Sequence, residues 1–371
     1  MQGNRIVWID VWKGMLIFLV VLGHVTGGLY HYVDGWAAFP VRLIFKFVYL
    51  FHIPAFFFIA GWVQGMSASD DSADFGAFVK KRAVRLLVPY AIWGVFSIVV
   101  FLSFASWAHL IQNGNDGYYN DTMFNFPWYR PFLSLLHGGG WPNREGLRFN
   151  GVLWFLPCMF LVLAIDRALR KFFVNVAESL PVKVAFIVVV ALVGGLVREN
   201  VKIALPFSMN RVLNMLAYLM IGRLLAAGGW LDSLHRRPFY LVLGWVLLMG
   251  IAWYVPDEYY LVTPFPWYVY MMLLGLAGCV FSMATAKMVA EISPKKVVAI
   301  VAKTGVASLG IMLSHKFFIM PMQAGYAAIA KLKWSIVLLA AISMSVIVTW
   351  VALCLTSLIR RHAPIVIGER K

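Results

Sequence analysis

Ten stretches of this chain are apolar enough to be read as membrane crossings, and that pattern removes most folds from consideration. A hydrocarbon core of about 30 Å needs roughly 20 mostly apolar residues per helix. Against that template the candidates run approximately over 8–29, 39–63, 86–107, 151–166, 184–198, 204–227, 238–255, 264–286, 297–321 and 334–359. The fourth and fifth are short and are expected to extend into polar flanks. A chain in lipid must satisfy its backbone hydrogen bonds internally, which leaves helices or a closed barrel. Residues 187–193 read Ile-Val-Val-Val-Ala-Leu-Val and do not alternate, so a barrel is excluded. The expectation is an all-α polytopic membrane protein, one domain over residues 1–371, with about ten transmembrane helices.

Composition agrees. The chain is 62% hydrophobic and 13% charged, where a soluble domain carries about 25% charged residues. No single soluble core could hold that apolar excess, and a disordered chain would lack it altogether. Cys158, Cys279 and Cys354 sit in apolar runs without paired or metal-ligand spacing. The first apolar run contains Asp10 and Lys13 and has no small-residue cleavage site, so it is expected to stay as a span.

The net charge of +16 would suggest nucleic acid in a soluble protein. Here the cations follow the loops. With the N-terminus in the cytoplasm, the inner loops and the C-terminus collect twenty of the 32 Lys and Arg residues. Among these are Lys80, Lys81, Arg82, Arg85, Arg167, Arg170, Arg223, Lys287, Lys295, Lys296, Arg360 and Arg361. The positive-inside rule then places both termini in the cytoplasm and leaves no basic patch for nucleic acid.

One connection is unusually long. Residues 108–150 form an external segment rich in Gly, Asn and aromatics, including Tyr118, Tyr119, Phe126, Trp128, Tyr129 and Trp141. Loops of this length in compact proteins are binding loops, lids or linkers, and the aromatics argue against a linker. An interfacial aromatic belt is the plainer alternative for any one of them.

Ionisable residues inside spans cost about 2.5–3.5 kcal/mol each on insertion scales and mark function. The first span holds Asp10, Lys13 and His24. At about 100° per residue, Lys13 and His24 lie at roughly 300° and 320° from Asp10, so all three share one face. The rise of about 1.5 Å per residue separates Asp10 from His24 by about 21 Å, too far for contact along a straight helix. Asp10 and Lys13 can pair at i,i+3. The second span carries His52 and Pro54, and Pro54 frees the carbonyl of residue 50. Arg82 and Arg85 fall on a helix approaching the membrane, where guanidinium groups suit phosphates. Trp154 opens the fourth span, and His315 and Lys316 lie in the outer half of the ninth.

In order, these residues resemble the acyltransferase-3 family of integral membrane O-acyltransferases, in its fucose 4-O-acetylase-like and exopolysaccharide O-acetyltransferase branch. The resemblance rests on Asp10-x-x-Lys13-Gly14 through Gly23-His24, Phe51-His52-Ile53-Pro54 through Gly61, Arg82-x-x-Arg85, Trp154-Phe155-Leu156 and Ser314-His315. Many members have Arg where this chain has Lys13, which keeps the charge and loses the bidentate geometry. Against the family pattern, the common esterase-like C-terminal extension is expected to be absent.

The resemblance implies transfer of an acyl group, usually acetyl from acetyl-CoA as co-substrate without a metal, to a sugar hydroxyl of a cell-surface polysaccharide or its lipid-linked precursor. The setting would be the bacterial inner membrane, with polysaccharide-assembly proteins as partners. His24, Asp10 and His315 are the candidate catalytic residues, His24 as base or transient acyl carrier and Asp10 as organiser of Lys13. Lys13, Arg82 and Arg85 are assigned to the CoA donor. Trp128, Tyr129, Trp141, Trp154 and His52 are assigned to the acceptor. A histidine with an ordinary pKa near 6.5 is chemically suited to take a hydroxyl proton. The rival class is a transporter or flippase for a glycan precursor, which would require repeated halves or paired broken spans that the sequence does not show.

Overall fold

The apolar stretches fold as helices, and among the described residues no strand occurs. The computed structural model describes residues 6–66, 74–111, 130–138, 150–173, 179–201, 205–229, 231, 233–256 and 264–369. The helices are α1 (Val7–Leu29), α2 (Gly35–Met66), α3 (Phe75–Ile111), α4 (Arg130–His137), α5 (Phe155–Phe173), α6 (Leu180–Asn200) and α7 (Met209–Gly228). They continue with α8 (Pro238–Trp253), α9 (Phe265–Ile292), α10 (Lys295–Val306), α11 (Ser308–Met322), α12 (Tyr326–Ala330) and α13 (Trp334–His362). A 3-10 turn, Gly151–Trp154, leads into α5.

Among the described residues, eight segments are long and apolar enough to cross a membrane. The fourth and fifth expected spans lengthen to Gly151–Arg170 and Leu180–Asn200 by recruiting their polar flanks. The seventh, α8, has 16 residues, about 24 Å of helix. The protein is therefore an all-α polytopic membrane protein.

The ninth expected span, 297–321, is not one helix. Lys295–Val306 and Ser308–Ala330 meet at 80°. Hydropathy runs through Ala307 without a mark, because apolarity does not encode direction. The break is held by tertiary contacts: Arg360 on α13 donates to the Val306 carbonyl at 3.2 Å while its other N–H groups grip Glu369 at 2.7 Å. A Cβ on Gly310 would collide with Thr356, so α11 sits directly on α13.

Helix α1 is the centre of the bundle. Of its most apolar window 72% is buried, against 28% for α6, which marks α6 as peripheral. α1 packs against α2, α9, α10, α11 and α13. Trp12 donates to Ser282 on α9 at 2.9 Å, which satisfies the one polar atom of a fully buried indole. The most extensive interface joins α2 and α7. There Gly61 faces the Leu219 carbonyl and Gly222 faces the Phe58 carbonyl, too close for any Cβ. Small residues of this kind let backbones approach where lipid offers no hydrophobic drive. Hydroxyls inside the spans bond the carbonyl four residues back, as at Ser97, Ser314, Ser345, Thr349 and Thr356. That removes their cost in lipid.

The alternation of spans gathers the cations of the even-numbered connections at the end that carries the N-terminus. There Lys287 lies over the Trp8 and Trp62 rings, and Asp166 is buried between Arg170 and Arg223.

Candidate active site

His24 lies in the fifth turn of α1, where α1, α2 and α11 converge. Its ring stacks on His315 of α11 with centroids 5.3 Å apart and planes 28° from parallel. Its Nδ1 is 3.2 Å from the Tyr49 hydroxyl on α2, and Tyr49 in turn lies edge-on to His52 at 4.9 Å. Gly23 makes the approach of α2 possible, since a Cβ there would press on Tyr49 and Val48. Lys316 and His52 are within electrostatic range of His24.

Two of the three histidines have a defined tautomer when neutral. His315 Nδ1 is 2.9 Å from the Ile311 carbonyl, and His52 Nδ1 is 2.7 Å from the Val48 carbonyl. A carbonyl only accepts, so each Nδ1 carries the hydrogen and each Nε2 keeps a lone pair. On His315 that Nε2 is fully buried and makes no hydrogen bond. A buried acceptor without a donor is costly, and it leaves an unused lone pair on the ring stacked against His24. His24 differs, because a tyrosine hydroxyl can donate or accept. It is also partly exposed while His315 and His52 are buried.

The remaining expected residues are distributed around this centre. Asp10 and Lys13 form the i,i+3 pair, with Nζ 3.6 Å from Oδ1. α1 is uninterrupted from Val7 to Leu29, so Asp10 stays about 21 Å of helix rise from His24. A direct Asp10–His24 dyad is thus ruled out. α10 crosses α1 beside this pair: a Cβ on Gly305 would strike the Asp10 carbonyl, and one on Gly14 the Val301 carbonyl. His315 keeps its place in the outer half, beside His24 near the far end of α1. The helix that holds it begins only at Ser308, so His315 stands about two turns past the break, level with His24.

Arg82 and Arg85 lie on the first turns of α3, whose start is capped by Asp74 Oδ2 accepting from the Ala77 N–H at 3.0 Å. The Arg82 guanidinium sits 5.1 Å from the Phe78 ring, and Arg167 of α5 sits 5.6 Å from the same ring. Arg85 is exposed. Trp154 is in the 3-10 turn with the Arg211 guanidinium 4.2 Å from its ring. Trp128, Tyr129 and Trp141 lie outside the described residues. Among the described residues no group of three or more His, Cys, Asp or Glu could hold a metal.

Sequence reasoning missed Tyr49 and Asn150. Tyr49 had a signal, since it is one helical turn from His52. Asn150 had none: it is fully buried and donates to Ser97 Oγ at 3.2 Å and to the Leu313 carbonyl at 3.0 Å. It thereby ties the 3-10 turn to α3 and to α11 two residues before His315.

The family described as "Acyltransferase domain" matches residues 6–356. Nodulation protein NolL of Sinorhizobium fredii is 38% identical over 91 residues, 24% of this chain and 24% of that protein. Nodulation protein NolL of Mesorhizobium japonicum is 37% identical over 90 residues, 24% of this chain and 23% of that protein. The chain thus covers about a quarter of the length of these curated relatives. No solved structure matches. With its histidine pair at the bundle centre and a family match over nearly its whole length, the chain belongs to the acyltransferase-3 family.

Proposed function

We propose that the protein is a membrane O-acyltransferase that moves an acetyl group from acetyl-CoA to a sugar hydroxyl of a cell-surface polysaccharide or its lipid-linked precursor. Its setting is the bacterial inner membrane, with both termini cytoplasmic. The observation that carries this reading is the stacked His24–His315 pair, in which His315 keeps an unbonded Nε2. A sugar hydroxyl is a poor nucleophile at neutral pH, and a positioned imidazole raises its reactivity by taking its proton as the new bond forms.

In this scheme His24, the partly exposed member, meets the acceptor hydroxyl with its Nε2 while Tyr49 orients its Nδ1. The hydroxyl oxygen attacks the thioester carbonyl, and its proton passes to His24. The tetrahedral intermediate then expels the CoA thiolate, which recovers a proton from the imidazolium. His315 shares the positive charge that forms on His24, and Lys316 faces the developing oxyanion. Arg82 and Arg85, at the end that carries the N-terminus, hold the CoA phosphates, with the Asp10–Lys13 pair at the same end.

The test is purified protein with labelled acetyl-CoA and candidate glycans, scored for base-labile ester on the glycan. Ester formed by the parent protein and lost in His24→Ala supports the reading. No ester on any glycan, with acetyl-CoA bound, would overturn it.

A further inference from the structure

At the end of the bundle opposite the N-terminus, Arg198 and Arg211 stand on adjacent helix ends, with no carboxylate paired to either among the described residues. Arg198 is in the last turn of α6 and Arg211 in the first turn of α7, and the antiparallel packing that sets Gly194 against Asn214 brings the two to the same level. Neither forms an ion pair among the described residues. Arg198 is exposed and Arg211 half-buried, so the two positive charges stand at the bundle surface, where an anion can bridge them. A cation in the first turn of a helix is misplaced with respect to the macrodipole. The protons of the nearby hydroxyls are committed elsewhere. Tyr268 donates to Asn214 Oδ1 at 2.7 Å and Tyr218 to the Met272 carbonyl at 3.2 Å.

The geometry around the pair fits a particular kind of anion. Trp154 covers the face of the Arg211 guanidinium at 4.2 Å, which leaves its in-plane N–H donors as the groups that can bond a ligand. Below Arg198 the peripheral helix α6 presents Val189, Val193 and Leu196 to lipid, with 55%, 42% and 47% of their surface exposed. Charge at the membrane boundary above an apolar stripe suits an amphiphile with a phosphate head and a hydrocarbon tail. The pair is also coupled to the histidine centre. Trp154 ends the 3-10 turn that Asn150 fastens to the Leu313 carbonyl, next to His315.

We infer that Arg198, Arg211 and Trp154 form a binding site for the phosphate of a membrane-borne lipid, the carrier of the acceptor glycan. The glycan half of this statement rests on the acyl-transfer reading; the phosphate half does not. Two other sources share the chemistry, bulk phospholipid and free phosphate, and the experiment separates them.

Protein in detergent is mixed with a C55 polyprenyl phosphate, the matching polyprenol, phosphatidylglycerol or inorganic phosphate, and retained ligand is read by native mass spectrometry. The expected result is retention of polyprenyl phosphate about tenfold above the other probes, lost about tenfold in Arg198→Gln and in Arg211→Gln and partly recovered in Arg211→Lys. Tm and a monodisperse size-exclusion peak, measured on the same samples, stay at parental level and report that the variants are folded. Equal retention of phosphatidylglycerol assigns the pair to bulk head groups, and equal retention of inorganic phosphate assigns it to a soluble anion. Retention unchanged in the glutamine variants removes the pair from binding altogether. Each of these three overturns the inference. No acyl donor takes part, so failure here is separable from failure of acyl transfer.

Discussion

The imidazole of His24 lies flat against that of His315, 5.3 Å between centroids, although the two come from opposite ends of the chain. Two stacked rings that share one site act as a unit in the proposed proton transfer. His24→Ala is therefore expected to abolish ester formation, and His315→Asn to lower it by about 10²-fold or more. The double variant should be no worse than His24→Ala alone, since residues that act as a unit are non-additive. Labelled acetyl transfer by purified variants of parental Tm checks this. Near-normal transfer by His24→Ala would end the catalytic assignment.

Tyr49 offers a finer test. Its hydroxyl reaches His24 Nδ1 at 3.2 Å, and the ring stays in place in Tyr49→Phe. Loss of one orienting hydrogen bond is worth about 1 kcal/mol, so the rate should fall by about three- to tenfold with the KM for acetyl-CoA unchanged. A change confined to KM would assign Tyr49 to substrate binding instead.

The spans were legible in the sequence because each must supply its own apolar length, and the Asp10–Lys13 pair because it is local. What the sequence hid is tertiary. Periodicity put Asp10, Lys13 and His24 on one face of α1 without saying that His315 would meet the last of them. It could not show the 80° break at Ala307 either, since Arg360 and Thr356, which hold that corner, are some fifty residues away in the chain. Arg198 and Arg211 were invisible for a different reason: each passes as an ordinary boundary cation until α6 and α7 are packed together.

Donor recognition can be separated from chemistry at the other end of the bundle. Arg85 is exposed and free to meet phosphate, whereas Arg82 also packs on Phe78. Arg85→Gln should raise the Kd for acetyl-CoA about tenfold with little change in Tm. Arg82→Gln should do the same and lower Tm by a few degrees through lost cation–π packing, worth about 1 kcal/mol. Calorimetric titration of acetyl-CoA decides the matter: an unchanged Kd in both variants would return the pair to a purely topological role.

The close approach of α2 and α7 predicts where the scaffold fails. Gly61 faces the Leu219 carbonyl and Gly222 the Phe58 carbonyl, so each side chain added at one position pushes on backbone that cannot rotate away. Overpacking of a filled interior costs about 1–3 kcal/mol, and more where the obstacle is main chain. Gly61→Val should therefore broaden or abolish the monodisperse peak in size-exclusion chromatography. Gly250→Val, at a glycine with open space around it, should leave the peak intact. Since α2 carries both Tyr49 and His52, any Gly61→Val protein recovered should also lose transfer activity in step with its lost stability. Full activity in that variant would show that α2 and α7 can separate without disturbing the histidine centre.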